Sequence, residues 1–225
     1  MRLNHGKRMC IFRAVLGCMW GAACVAGVPQ VCAASAVVQL DGTQMAALSD
    51  VIVHGTVLRS QPVAFSDGRI MTAHVMQVSR WIRQDAETGA SETFVFYTRG
   101  GQIGDRVTRV TGEAHVEPGD EVVVFLAARS SDVDGVQERR YFCVGMAQGA
   151  FVVLTDENEK RVVRSDERIK RRAARMRRAR ASLKDVAEPE DRALGSFLEA
   201  VEKNVAEGPS RDAVLNGLPF GRTAP

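Results

Sequence analysis

Residues 118–126 read Pro-Gly-Asp-Glu-Val-Val-Val-Phe-Leu, and this stretch decides the fold class. A turn-forming Pro-Gly-Asp is followed by an unbroken run of β-branched and aromatic residues, a composition typical of a strand. The segment Val51-Ile52-Val53-His54-Gly55-Thr56-Val57-Leu58 is also β-branched and alternating. We therefore expect a β-rich domain that contains both segments.

Further strands are predicted between and after these two segments. They are residues 69–78, 93–98, 141–144 and 150–154, with turn-rich stretches of Gly and Asp between them. Short strands at this spacing predict a small antiparallel barrel or sandwich.

The C-terminal part is predicted to be helical. Residues 165–184 contain neither Gly nor Pro and are rich in Ala, Arg and Lys, which are strong helix formers. A second helix is expected to begin near Pro189, and one of its faces is apolar. That face consists of Leu194, Phe197, Leu198, Val201 and Val205. Residues 208–225 are expected to form a flexible tail.

The N-terminus predicts a secretion signal. Residues 1–13 carry four basic and no acidic side chains, and residues 14–28 form an uncharged apolar run that is too short to span a bilayer. Ala34-Ser35-Ala36 supplies the small side chains that a signal peptidase accepts, so cleavage is expected before Val37. This organisation predicts export to the periplasm or the medium, with no transmembrane span in the mature chain. Lipidation at Cys18 or Cys24 is an alternative.

Four domains or segments follow from these boundaries. Residues 1–36 form the signal peptide, residues 37–158 the β-barrel domain, residues 159–207 the basic helix and the packing helix, and residues 208–225 the tail. Four of the five cysteines lie in the signal, which leaves Cys143 in the mature chain. No intramolecular disulfide is then possible, and the apolar surroundings of Cys143 predict a buried, inert thiol.

Charge is unevenly distributed along the chain. Residues 37–158 hold ten Lys and Arg against sixteen Asp and Glu, a net charge of −6, whereas residues 159–225 hold sixteen against eleven. The run 159–184 alone has twelve basic and three acidic residues. As a helix it is predicted to attract anionic lipid, an anionic envelope polymer or the acidic barrel, through Arg171, Arg172, Arg175, Arg177 and Arg178. The alternative is a solvated helical linker.

Four segments between residues 46 and 155 carry a family resemblance: 48–57 (LSDVIVHGTV), 99–104 (RGGQIG), 119–126 (GDEVVVFL) and 145–151 (GMAQGAF). In this order they resemble an uncharacterised domain of secreted bacterial proteins, some found beside matrixin-type metalloproteases. The succession is also similar to the OB-type barrel of netrin-like domains, the class that includes tissue inhibitors of metalloproteinases. The resemblance implies a five-stranded barrel with a helix packed on it. It does not imply inhibition, because those inhibitors use an N-terminal cysteine and several disulfides.

Candidate sites in the mature chain are few. His54 and His74 lie in neighbouring predicted strands and could face one another around a metal, but ordinary hydrogen-bonded histidines explain them as well. Gly100–Gly104 lacks the Lys-Ser/Thr of a phosphate loop, so its glycines are interpreted as turn residues. Asp132 and Asp134 suit either calcium or solubility. No nucleophile elbow is present, and neither an enzyme nor a cofactor is predicted.

The aromatic residues of the predicted strands could stack on bases, as they do in nucleic-acid-binding OB-folds. The net negative charge of residues 37–158 would repel nucleic acid, so these rings are interpreted as core. The sequence thus favours an exported, non-catalytic binding module with a protein partner, for which the resemblance suggests a protease. The alternatives are an envelope-associated structural protein held through the basic helix, and a metal-dependent enzyme using His54 and His74.

The predicted cleavage site can be tested directly. N-terminal sequencing of the exported protein should begin at Val37 or within a few residues of it, because Ala34-Ser35-Ala36 follows an apolar run of signal length. A mature chain that keeps Arg2–Arg13, or that begins at a lipidated Cys18 or Cys24, would contradict this assignment.

Overall fold

The computed structural model describes residues 38–89, 91–133, 136–156, 159–165 and 192–218. Three helices and ten strands lie in these ranges. The helices are α1 (Gly42–Leu48), α2 (Leu194–Glu207) and α3 (Arg211–Gly217). The strands are β1 (Val51–Ala64), β2 (Ile70–Arg83), β3 (Thr93–Arg99), β4 (Gly101–Ile103), β5 (Arg106–Thr108), β6 (Glu121–Val133), β7 (Val136–Cys143), β8 (Ala150–Asp156), β9 (Glu159–Arg164) and β10 (Arg192–Ala193).

Eight strands form one sheet in the order β1-β2-β3-β7-β6-β8-β9-β10, and β1 pairs additionally with β6. Every pairing in this sheet is antiparallel except β3 with β7, which is parallel and consists of the single residue pair Tyr97–Phe142. Strands β4 and β5 form a separate two-stranded hairpin. The predicted fold class, mainly β with a C-terminal helical part, is confirmed at this level.

Strand β6 lies at the centre of this arrangement because both of its faces are buried. Residues 122–126 are almost inaccessible to solvent. They pair with β1 through Val51–Gly55, and Val122–Val124 also pair with β8. Alternate residues of a strand point to opposite faces, so this run supplies two separate hydrophobic clusters.

The inner cluster receives Val122, Val124 and Leu126 from β6, and the outer cluster receives Val123 and Phe125. The inner cluster is completed from β1, β2, β3, β7 and β8; its largest members are Met76, Phe94, Phe96 and Tyr141. The outer cluster is completed by the helices and by β8 and β9; its members include Met45, Phe151, Val162, Phe197, Leu198 and Val201.

Helices α1 and α2 form the layer that covers the outer cluster. Asp41 caps α1 by accepting a hydrogen bond from the Gln44 N–H, and the Gln44 side chain accepts from the Asp41 N–H in return. The predicted apolar face of the C-terminal helix is confirmed in α2, where Phe197 lies 4.8 Å from Phe151 between ring centroids. The two helices therefore belong to the core.

Arg83, at the end of β2, binds the ends of both helices. Its guanidinium donates to the carbonyl oxygens of Ala46 and Ser49 at the end of α1, and to the Val205 carbonyl of α2 at 3.5 Å. The last carbonyls of a helix lack intrahelical donors and carry partial negative charge, so a guanidinium stabilises them. This contact fixes the helical layer against the end of the sheet.

Two glycines are required by close backbone approaches. A Cβ at Gly55 would lie 2.1 Å from the Gln77 carbonyl oxygen, where the β1–β2 register shifts. A Cβ at Gly149 would lie 2.4 Å from the Val144 carbonyl oxygen, in the 3₁₀ turn before β8. Both approaches are closer than real Cβ contacts, so only glycine fits.

Several features differ from the sequence-based boundaries. The second helix begins at Leu194 and not near Pro189, because Arg192 and Ala193 pair with β9 as β10. Glu159–Arg164 were assigned to the basic run, but they form β9 and pair with β8, because Val162 and Val163 enter the outer and inner clusters. Strands β1 and β2 are longer than predicted, since the end of each strand pairs with the start of the other. Within the predicted tail, α3 forms with Ser210 as its N-cap and Val214 buried.

Among the helices in the described ranges, none combines the length and apolarity needed to cross a membrane.

Substitution of the two close-packed glycines tests this packing. Gly55→Ala and Gly149→Ala should each lower the free energy of unfolding of residues 37–225 by about 3 kcal/mol, because backbone must move to admit the methyl group. Urea unfolding measures the effect. Gly195→Ala is the matched control: no atom lies within 4 Å of its added Cβ. It should leave stability unchanged or raise it by up to about 1 kcal/mol. Equal effects at all three positions would contradict the assignment.

Candidate functional site: an arginine cleft

A cleft of about 560 Å³ lies where the β1–β2 turn meets the outer surface of β3, β6 and β7. Four arginines and two phenylalanines dominate its lining: Arg69, Arg99, Arg129, Arg140, Phe65 and Phe142. The volume is in the range of small-molecule and peptide-side-chain pockets. We call this feature the arginine cleft.

Strand register brings the cleft residues together. Arg129 of β6 is directly opposite Arg140 of β7, and Phe142 is paired both with Ala127 of β6 and with Tyr97 of β3. Side chains at paired positions share a face of the sheet, so these residues project outward together. Arg99 lies on the same face of β3 as Tyr97, two residues further along the strand.

Aromatic rings hold Arg140 in place. Its guanidinium carbon lies 3.9 Å from the centroid of the Phe65 ring and 5.8 Å from that of Tyr97. This is cation–π geometry, and the Phe65 and Tyr97 rings also meet edge to face at 5.9 Å. The Arg140 side chain is only 12% exposed, and it also donates to a Glu138 carboxylate oxygen. Its orientation is therefore set before any ligand arrives.

The four arginines differ in their pairing. Arg69 forms an ion pair with Asp67 at 2.5 Å, and Arg140 is bonded to Glu138. Within the described part of the chain, neither Arg99 nor Arg129 forms an ion pair, and both are exposed; Arg99 lies close enough to Glu113 to lower the pKa of that carboxyl. The cleft thus presents two guanidinium groups that form no ion pair beside two that are each held by a carboxylate.

A second cleft of about 310 Å³ adjoins the first and shares Arg99, Arg129 and Phe142 with it. Its other walls include Leu48, Met146 and Arg211. Arg211 is bound to Asp50 at 2.6 Å. The two clefts together form an elongated groove with Arg99, Arg129 and Phe142 in its middle.

The loop between β2 and β3 is fixed to β7 by a buried polar cluster. Asp85 accepts hydrogen bonds from the Tyr141 hydroxyl at 2.9 Å and from the Thr88 N–H at 2.9 Å, and it pairs with Arg139 at 2.9 Å. Burial would raise the pKa of Asp85, but the hydrogen bonds and Arg139 together hold it below its ordinary value. Burial and the neighbouring Asp85 raise the pKa of Tyr141 to about 12. This cluster is structural.

The histidines of β1 and β2 do not oppose one another. His54 is paired with Arg80 in the ladder and bonds Glu121 at 2.9 Å, whereas His74 is paired with Ser60. The His74 ring is bonded to the Ser60 and Thr98 hydroxyls at 2.7 and 2.8 Å and stacks on Phe96. Burial, and to a lesser extent the charge of His115, lowers the pKa of His74 to about 4. At neutral pH His74 is therefore an uncharged core residue.

Burial also shifts the pKa values of Cys143 and Glu113. Burial, and then the nearby Glu113 carboxylate, raises the pKa of the Cys143 thiol well above its usual range, which makes it a poor nucleophile. Cys143 is half-buried and lines the second cleft, so the predicted burial of the thiol is only partial. Burial also raises the pKa of Glu113, against smaller opposing effects of the Ala114 N–H and of Arg99.

The other sequence-based candidates are placed as follows. Arg171, Arg172, Arg175, Arg177 and Arg178 lie outside the described residues, as do Asp134 and the side chain of Asp132. Gly100, Gly101 and Gly104 have positive φ angles of 96°, 142° and 55°, which confirms their interpretation as turn residues. Of the aromatic residues in the predicted strands, Phe94, Phe96, Phe125, Tyr141 and Phe151 are buried, whereas Tyr97 and Phe142 are half-buried at the cleft.

The low pKa of His74 predicts a pH dependence of stability. The unfolded histidine takes up a proton near pH 6.5 and the folded one near pH 4. Stability contributed by neutral His74 is thus present above pH 6.5 and is lost as the pH falls, by about 3 kcal/mol at pH 4. Urea unfolding of residues 37–225 between pH 7.5 and 4 measures this loss.

Two variants separate the contribution of His74 to this pH dependence from that of other titratable groups. In His74→Gln the slope between pH 6.5 and 5 should disappear, whereas the exposed His115→Gln should keep it. Equal stability of the wild type at pH 7 and pH 5 would show that His74 titrates normally.

The arginine cleft offers guanidinium donors beside apolar rings. Arginine stays protonated, donates hydrogen bonds in a planar fork and receives anions, while Phe65 and Phe142 offer apolar faces. Among the described residues, no group of three or more His, Cys, Asp or Glu side chains is arranged to hold a metal ion. The chain matches no protein-family model, no curated protein and no solved structure.

Proposed function

We propose that residues 37–225 form an exported, non-catalytic binding module that holds a protein partner through the arginine cleft. The observation that carries this proposal is the gathering of four of the ten arginines of residues 37–158 around one concave surface. A protease is the partner class that the family resemblance suggests.

The strand pairing supports an OB-type barrel as the framework. Strands β1-β2-β3-β7-β6 follow one another by pairing, and β6 pairs back to β1. The parallel contact between β3 and β7 is the link on which closure depends. A five-stranded Greek-key ring of this kind positions loops and strand ends at a rigid rim. The cleft lies against such a rim, next to the β1–β2 turn.

The character of the cleft favours binding over catalysis. Its charged groups are four guanidiniums, which do not exchange protons near neutral pH, and the Asp67 carboxylate, which is paired with Arg69. The neighbouring titratable groups are committed: Cys143 is held protonated, and Asp85 is bonded to Tyr141 and Arg139. The oriented Arg140 and the apolar rings of Phe65 and Phe142 resemble the Arg and aromatic anchors that dominate protein interfaces.

The negative charge of residues 37–158 makes the cleft selective for partners that reach into it. Residues 37–158 carry a net charge of −6, so the long-range field repels polyanions. Only a partner that reaches into the cleft gains from its arginines, because exposed charges are screened over roughly 8 Å at physiological ionic strength. This favours a shaped contact with a protein.

Affinity capture from the cell envelope and the medium tests the proposal. Immobilised wild-type residues 37–225 should retain a defined protein partner. The double variant Arg99→Gln/Arg129→Gln should retain at least tenfold less of it, because each lost interfacial charge contact weakens binding.

The matched control is Arg59→Gln/Arg109→Gln, which removes two exposed arginines that do not line the cleft. It should capture the partner as well as the wild type does. Equal loss in both double variants would indicate a general charge effect. Undiminished capture by the cleft variant, or retention of envelope polymer or lipid alone, would contradict the proposed function.

A further inference from the structure

The pairing of Arg129 with Arg140 places two positive charges side by side in the cleft. Like charges at directly opposed positions of two antiparallel strands repel each other and destabilise the sheet. Arg140 is partly balanced by Glu138, but within the described residues Arg129 forms no ion pair, and Arg99, which lies near the Glu113 carboxyl, forms none either. A ligand carrying negative charge between Arg99 and Arg129 would relieve this repulsion.

The floor of the groove restricts what that ligand can be. Phe142 of β7 lies between the strands that carry Arg99 and Arg129, and it is shared by both clefts. Phe65 and Met71 extend the apolar surface at one end, and Leu48 and Met146 at the other. A free oxyanion or a phosphate polymer would leave this surface in water. An acidic segment that also carries an apolar side chain would cover it, and burying apolar surface is favourable.

The alternation of charged and apolar side chains along the groove suits an extended peptide. Along the groove, guanidiniums lie on both sides of the Phe142 ring. The lining of the two clefts extends from Leu48 of α1 to the β1–β2 turn. In an extended chain, successive side chains point in opposite directions, so acidic residues next to an apolar one can reach the walls while the apolar side chain reaches the floor.

We propose that the arginine cleft binds an extended acidic segment of a partner protein, in which carboxylates on either side of an aromatic or large aliphatic residue contact Arg99 and Arg129 while that residue packs on Phe142. The inference rests on the proposed function and names the partner chemistry of the same site. Bidentate contacts between guanidinium and carboxylate supply orientation as well as attraction.

Fluorescence anisotropy with labelled synthetic peptides tests the inference. The probe is an uncharged Gly/Ser peptide with a central Asp-Glu-Phe-Asp-Glu, and two comparison peptides replace the Phe by Ala or the four acids by Asn and Gln. The wild-type protein should bind the probe at least tenfold more tightly than either comparison peptide. Inorganic phosphate at millimolar concentration should not displace it, because phosphate gains nothing from the apolar floor.

Protein variants provide the second measurement. Arg129→Gln should weaken binding of the probe about tenfold while leaving the urea unfolding midpoint unchanged or higher, because the repulsion with Arg140 is removed. Arg59→Gln should change neither quantity. A variant that loses binding and stability together would show a structural role for Arg129 and overturn the assignment.

The outcomes separate the two proposals. Equal binding of the Phe and Ala peptides, or full displacement by phosphate, would overturn the acidic-apolar ligand and indicate a simple anion site. If no peptide binds but affinity capture still depends on Arg99 and Arg129, the inference fails and the proposed function stands. If capture is also independent of these arginines, both fail.

Discussion

Burial of β6 on both faces is the constraint on which the structure depends. Residues 122–126 offer no polar position that could face water, so both faces need cover and both edges need strands. Strands β1 and β8 satisfy the backbone, the inner cluster covers one face, and α1 and α2 cover the other. The C-terminal helix is thus required by a strand seventy residues before it in the chain.

The helical layer needs a defined position as well as an apolar face, and Arg83 supplies it. Its guanidinium donates hydrogen bonds to carbonyl oxygens at the ends of both helices, and these carbonyls would otherwise lack donors. Burial lowers the pKa of Arg83, yet a guanidinium remains charged in proteins. Gly55 has a comparable role in the sheet, because the close approach at this residue lets β1 pair with β2 and β6 at once.

The residues show why some elements could be predicted and others could not. The apolar run of β6 and the apolar face of α2 are visible in the sequence because burial there is continuous. Beyond Leu126 the strand continues through polar residues such as Arg129, which only pairing with β7 explains. Strand β9 was missed because the charges of Lys160, Arg161 and Arg164 obscure Val162 and Val163, although these two valines alternate between the clusters.

The arginine cleft was beyond sequence reasoning for a different reason. Arg99, Arg129 and Arg140 each have the pattern of an ordinary outward-facing strand residue, and nothing local distinguishes them from Arg59 or Arg109. Their proximity arises from register, and register is set by the side chains on the opposite face, where Phe94 meets Tyr141 at 5.0 Å and Leu126 enters the core. The free energy that holds like charges together on the outside therefore comes from apolar packing on the inside. The packing that orders the sheet therefore also holds the arginines of the cleft in place.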